Sequence, residues 1–221
     1  MRLLVKILLA FVAAVILAVS FTTGWFFLYS GDLPDIAGLR RYAPQQVSRV
    51  SDPCLGSDVV AIPYDAIGYN LRAALNAAEG FDRPGEVNVR MQIARGMFCE
   101  PSRLLDRQLK EWRTAVQLRW RFSRDELLTI YANRVGFGDN CTGVQAAVEH
   151  YFHKEPNQLN VAEAALLAGL IRGPSRLSPY KHPDRALQRR NEVIDAMVKD
   201  HAISLEQGEA AKASALGVVE R

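Results

Sequence analysis

Ser102-Arg103-Leu104-Leu105-Asp106-Arg107-Gln108-Leu109-Lys110-Glu111-Trp112-Arg113-Thr114-Ala115-Val116-Gln117-Leu118-Arg119-Trp120 is the stretch that decides the fold class. Leu105, Leu109, Trp112 and Val116 recur at spacings of four, three and four, which predicts a helix with one apolar stripe turned to a core. Arg103, Arg107, Lys110 and Glu111 fall together on another side of it, one carboxylate among three cations. A group of this kind is what a solvated face with weak salt bridges looks like, and also what an anion site requires. A second chemical element has to separate the two.

Working outward, the same period recurs along the chain, and helix starts can be named from their caps. Ser123 with Glu126, Asn160 with Glu163, and Ser204 with Gln207 each match the pairing in which two side chains satisfy orphaned backbone N–H groups. Helices are predicted over 64–79, 87–97, 102–120, 124–133, 143–151, 161–171, 184–200 and 205–215. Strand-like alternation is scarce and no internal repeat is visible. The expected fold is mainly α, one folded domain over 61–216.

The N-terminal end has different physics. No charged residue occurs from Ile7 to Tyr29, a run long enough for a bilayer core of about 30 Å. Arg2 and Lys6 precede it, Asp32 and Asp35 follow, and Trp25, Phe26, Phe27 and Tyr29 gather at its distal end. Residues 1–6 therefore read as a cytoplasmic tail and 7–29 as one transmembrane anchor, with the domain outside the cytoplasm. The competing interpretation is a signal peptide cleaved after Ala18-Val19-Ser20. Residues 30–60, with Gly31, Pro34, Gly38, Pro44, Pro53 and Gly56 and no sustained period, read as a linker.

Composition excludes several classes. Of 221 residues 49% are hydrophobic and 23% charged, with 15 Gly and 10 Pro, so the chain is neither disordered nor collagenous. Lys plus Arg number 27 against 24 Asp plus Glu, and a net charge of +3 does not announce a nucleic-acid partner. Cys54, Cys99 and Cys141 lack metal-type spacing; export permits one disulfide among them, and three ordinary half-buried cysteines fit as well.

The second chemical element is Glu79. It ends Leu71-Arg72-Ala73-Ala74-Leu75-Asn76-Ala77-Ala78, where small apolar residues would desolvate a lone acid and raise its pKa. A carboxylate tuned that way serves as a general base near neutrality. With Gly80 behind it, an exposed helix-terminal Glu is the plain alternative.

Short motifs in this order resemble glycosyltransferase family 51, the peptidoglycan glycosyltransferase domain of monofunctional transglycosylases and class A penicillin-binding proteins. Ile62-Pro63 with Ala74-Leu75-Asn76-Ala77-Ala78-Glu79 resembles the first family motif, Gly85 to Arg95 the second, and Arg107-Gln108-Leu109-Lys110-Glu111 the third. Ser123 to Gly138, Gly143 to Phe152, and Leu159 to Pro179 followed by Arg189-Arg190-Asn191 resemble the downstream blocks. Departures lie mostly after Glu79: Gly80-Phe81-Asp82-Arg83-Pro84 replaces a longer segment of the family, Gln108 stands for its Lys, and Arg119 for its Glu.

The resemblance implies a lysozyme-like helical domain with a reduced membrane-proximal lobe. It implies polymerisation of lipid II into glycan with inversion and release of undecaprenyl diphosphate. Glu79 and Glu111 then stand at the catalytic positions, Arg95, Arg103, Arg107 and Lys110 at positions for the diphosphate, and Gln92 and Asn133 at substrate-binding positions. Arginine forks suit phosphate oxygens, and Glu111 among cations would position them or a divalent ion, Mg or Mn; no organic cofactor is implied. The expected partners are lipid II, nascent glycan, the membrane and other cell-wall synthesis proteins, at the cytoplasmic (inner) membrane with the C-terminal domain periplasmic. A catalytically impaired relative that binds lipid II or glycan, and a lysozyme-like glycan-cleaving enzyme, are the alternatives. No transpeptidase domain follows in this sequence, so cross-linking is not expected of it.

Overall fold

A computed structural model describes residues 2–28, 33–52, 54–55, 57–80, 88–98 and 104–220. The chain divides into two units, residues 1–34 and 35–221. The first is one helix, α1 (Arg2–Leu28). Its segment Val5–Trp25 has a mean hydropathy of 2.5 and is exposed throughout, so it is long and apolar enough to cross a membrane.

The second unit begins earlier than the sequence suggests. Residues 35–60, expected as linker, form with Ala61 a 3₁₀ turn (Ile36–Tyr42) and an antiparallel hairpin of β1 (Ser48–Asp52) and β2 (Ser57–Ala61). Leu39, Tyr42, Val50, Val59 and Ala61 from this stretch are all buried in the core. Strands of five residues between turn formers carry too few alternations for the period to show.

What fastens this hairpin is a buried polar knot. Asp52, 4% exposed, accepts from the Tyr42 hydroxyl at 2.5 Å, from Arg134 Nη2 at 2.8 Å and from the Cys54 amide at 2.9 Å. Burial alone would raise the Asp52 pKa, but the Tyr42 and Cys54 hydrogen bonds and the Arg134 charge outweigh it and hold it below the usual carboxylate value. Cys54 is disulfide-bonded and Cys141 is a buried thiol outside any disulfide; Cys99 lies outside the described residues.

The rest is helical: α2 (Tyr69–Glu79), α3 (Asn88–Arg95), α4 (Leu104–Arg121), α5 (Arg124–Arg134), α6 (Val144–Phe152), α7 (Val161–Leu170), α8 (Pro183–Lys199) and α9 (Leu205–Ala213). A short antiparallel pair, β3 (Gly136–Gly138) and β4 (Cys141–Thr142), joins α5 to α6. The mainly α expectation holds, and all three capping boxes form, with Glu126, Glu163 and Gln207 each at the third helical position.

Helix α7 is the centre. Every residue from Ala162 to Leu170 is buried, and α2 and α8 pack on it. Its Ala and Gly content permits the close approach: a Cβ at Gly169 would stand 3.0 Å from Arg189 Cγ on α8. Arg190, also on α8 and fully buried, donates to the carbonyls of Lys212, Ser214 and Ala215 at 2.8–3.0 Å. It thereby satisfies carbonyls at and just beyond the end of α9, which a helix otherwise leaves without partners.

One expectation is reversed. Leu109, Trp112 and Val116 face outward on α4, 52%, 50% and 38% exposed, and Trp120 continues their line at 79%. The side chain of Leu105 lies outside the described residues. The buried face carries Glu111, Thr114, Ala115 and Leu118, which pack toward α3. Periodicity identifies an apolar face but not what it meets, and here the protein's own core is not its partner.

Candidate active site

Helix α2 delivers Glu79 to the cleft. Ala73, Ala74, Leu75 and Ala77 bury the helix, and Gly80 stops it in the left-handed conformation at φ 74°, its N–H closing on the Asn76 carbonyl at 2.8 Å. Glu79 is thus the last helical residue and is 8% exposed. No cation contacts it directly among the described residues.

Its two oxygens differ. Gln92 Nε2, on α3, donates to Glu79 Oε2 at 3.0 Å, and the Tyr131 hydroxyl, on α5, donates to Gln92 Oε1 at 3.0 Å. Glu79 Oε1 is buried with no hydrogen-bond partner among the described residues. Burial raises the Glu79 pKa above its ordinary value; Gln92, Arg172, Tyr131 and Arg189 oppose that only in part. Burial and the neighbouring Glu79 charge push the Tyr131 phenol far up, so it stays protonated and remains a donor. The result is a carboxylate held at one oxygen, with the other available and readier than usual to take a proton.

A cleft of about 620 Å³ opens onto this group, lined by Glu79, Met91, Gln92, Arg95, Gly96 and Arg172, with Ile171 beside them. Arg95, at the end of α3, brings a charge into it. Glu111, 3% exposed on α4, accepts from Arg107 Nε at 2.8 Å and from Arg95 Nε at 3.3 Å. Its oxygens are both engaged by guanidinia, so Glu111 orients cations and is poorly placed to take a proton itself. A divalent cation does not fit that donor set. Among the described residues no three His, Cys, Asp or Glu side chains stand together.

Of the residues expected in the site, Glu79, Gln92 and Arg95 line the cleft, and Arg107 and Glu111 stand behind Arg95. Lys110 is half-buried on α4, and Arg103 lies outside the described residues. Asn133 is a correction. Fully buried, it accepts from the Ile62 amide at 3.1 Å and donates to the Tyr42 and Ile62 carbonyls at 2.9 and 2.8 Å, which locks α5 to the N-terminal segment and leaves nothing for a substrate. Two residues apart on a helix point about 200° from each other. Asn133 therefore faces the hairpin while Tyr131, whose role the sequence reading missed, faces Glu79. Arg172 was missed too, because it sits in the irregular turn after α7 where no period marks a direction.

Residues 64–198 match the transglycosylase family model, and the chain belongs to that family. It is similar to penicillin-binding protein 1A of Aquifex aeolicus (strain VF5), 36% identical over 157 residues that make up 71% of this chain and 20% of that protein. It is 40% identical to penicillin-binding protein 1C of Escherichia coli (strain K12) over 123 residues, 56% of this chain and 16% of that one. The crystal structure of penicillin-binding protein 1A from Haemophilus influenzae aligns with 74% of this chain and 19% of that chain at 24% identity, with a TM-score of 0.49. The chain thus spans a fifth or less of the length of these relatives.

Proposed function

We propose that the protein is a peptidoglycan glycosyltransferase that polymerises lipid II. The observation that carries this is the Glu79 carboxyl: buried, with a raised pKa, fixed through Oε2 by Gln92 while Oε1 has no hydrogen-bond partner among the described residues, on a residue that lines a cleft also holding Arg95. The 4-hydroxyl of an acceptor sugar attacks the anomeric carbon of the growing glycan. Its proton passes to Glu79 Oε1 as the new C–O bond forms and the bond to the undecaprenyl diphosphate breaks, with inversion at that carbon. Arg95, backed by Arg107 through Glu111, meets the negative charge that develops on the departing diphosphate. Tyr131 serves as a positioning residue, since it donates to Gln92 and also lies close enough to Glu79 to help favour its ionised form.

In this account α1 anchors the chain in the cytoplasmic membrane with the domain on the periplasmic side. The outward stripe of Leu109, Trp112, Val116 and Trp120 gives the domain a surface for the lipid boundary, where its substrate resides. The test is incubation of the purified full-length protein with lipid II, with polymer separated by gel. Polymer supports the proposal; lipid II binding without polymer points to a non-catalytic relative, and shortening of preformed glycan to a cleaving enzyme.

A further inference from the structure

Helix α5 meets α3 at two points that lie one turn apart on each helix. Tyr131 donates to Gln92 Oε1 at 3.0 Å, and three residues on, Arg134 Nη2 donates at 3.0 Å to the carbonyl of Gly96, four residues beyond Gln92. The Gly96 amide closes on the Gln92 carbonyl at 3.0 Å, so both acceptors belong to one turn at the end of α3. Spacings of three and four keep each pair on one side of its helix, and the two bonds form successive rungs between α5 and α3.

Arg134 is itself held in place. Its side chain is 8% exposed, the same Nη2 donates to Asp52 Oδ2 at 2.8 Å, and its guanidinium lies 5.1 Å from the centre of the Tyr42 ring. The Gly96 carbonyl is thereby fastened to the buried knot of the hairpin. Packing alone leaves this seam incomplete, for a cavity of about 90 Å³ lies there with Gln92, Gly96, Tyr131 and Arg134 all on its wall. Burial of Val89, Ile93 and Ala94 fixes which face of α3 turns inward, but apolar burial has no direction that would fix its height or pivot. Hydrogen bonds have direction, and two of them set a register where one would leave a hinge.

We infer that Arg134 is a positioning residue for the proposed base: through the Gly96 carbonyl it sets the register of α3 against α5, which keeps Gln92 on Glu79 Oε2 and Arg95 in the cleft. The inference rests on the proposed glycosyltransferase reading in which Glu79 takes the proton. A slide of α3 by about 1 Å would carry Gln92 Nε2 out of hydrogen-bond range of Glu79, and a misplacement of that size can cost about 100-fold in rate.

The test compares full-length Asp52→Asn with Asp52→Asn/Arg134→Met. Asn at position 52 lets Arg134 be removed without leaving a buried carboxylate unpaired, and melting temperatures check the fold of both. The double variant should have a kcat at least ~10-fold below that of Asp52→Asn, with a smaller change in KM. The acidic limb of its kcat profile should move to higher pH, because the Gln92 bond that opposes the raised Glu79 pKa is lost while burial, Arg172, Arg189 and Tyr131 stay. General loosening would instead hydrate Glu79 and move that limb to lower pH. Arg134→Lys in the Asp52→Asn background should recover part of kcat, since it restores a donor for the Gly96 carbonyl. The Glu79 carboxyl carbon, assigned with Glu79→Gln, is titrated by NMR in parallel, a readout that needs no polymer. An upward shift there in a protein whose parent makes no polymer supports the positioning and removes the glycosyltransferase reading alone. A Glu79 titration that is unmoved or lowered in the double variant, or equal kcat in the two proteins, overturns the inference.

Discussion

Gln92 secures Glu79 by one oxygen only: its Nε2 donates to Oε2 across 3.0 Å, while Oε1 stays buried and unpaired. A carboxylate held at both oxygens, as Glu111 is between Arg95 and Arg107, has both already engaged by donors. A carboxylate held at neither would turn freely. The single tether fixes direction and leaves one acceptor site for the substrate's proton.

The tether predicts a pH effect. Because Glu79 must be ionised to act, turnover should fall on acidification through a pKa above the ordinary glutamate value. The folded protein also binds this proton more tightly than the unfolded chain, so the group's contribution to stability declines as pH rises through the folded pKa. Glu79→Gln, which carries no charge at any pH, should melt higher than the parent at pH 7. That gap should close below about pH 4.3, the unfolded value. Melting curves across pH 3.5–8 (about four points suffice to see the trend) check it, and an equal gap at every pH would contradict it.

Arg95 has two tasks, which predicts a graded loss. Arg95→Ala removes a cation from the cleft and frees Glu111 Oε2, so lipid II binding should weaken by roughly tenfold. Lys at the same position should recover part of the affinity, since it retains the charge and loses the planar fork. Fluorescent lipid II titration measures both, and unchanged binding by the Ala variant would reduce the group to a solvated face.

Much of this was legible in the sequence, and the misses share a cause. Helix positions and the three capping boxes follow from local rules that need no neighbours, and they hold. The Ala-rich helix end left Glu79 between a desolvated acid and an exposed helix terminus, and its 8% exposure agrees with the first. Which neighbour a face meets is a tertiary fact, and there the period fails: Leu109, Trp112 and Val116 read as core and stand outside. Asn133 read as substrate-binding, yet it is fully buried and tied by three backbone hydrogen bonds from 71 and 91 residues away in sequence. Arg172 and Tyr131 matter only through distances that no spacing encodes.

The knot at Asp52 predicts a strong, pH-dependent stability effect. Asp52→Ala leaves Arg134 buried without its acid, which typically costs about 3–5 kcal/mol. In a domain of this size that lowers the melting temperature by on the order of 10 °C. The lowered Asp52 pKa means that the knot stabilises fully above the unfolded value of about 3.9 and loses strength as pH falls through the folded one. Circular dichroism at pH 7 and pH 3 checks this (about two conditions bracket the transition); a variant that melts like the parent at pH 7 would contradict it.

The α4 stripe predicts where the tryptophans stand. In a Trp25→Phe background reconstituted in vesicles, Trp112 and Trp120 should be quenched by lipids brominated near the headgroup and protected from aqueous acrylamide. Quenching by acrylamide alone would place the stripe in water.

The central claim is that Glu79 takes the proton. In a lipid II polymerisation assay, Glu79→Gln preserves the shape and the Gln92 neighbour while removing the titrating group, so turnover should fall at least ~100-fold with lipid II binding little changed. Polymerisation by Glu79→Gln at the parent's rate would contradict the account.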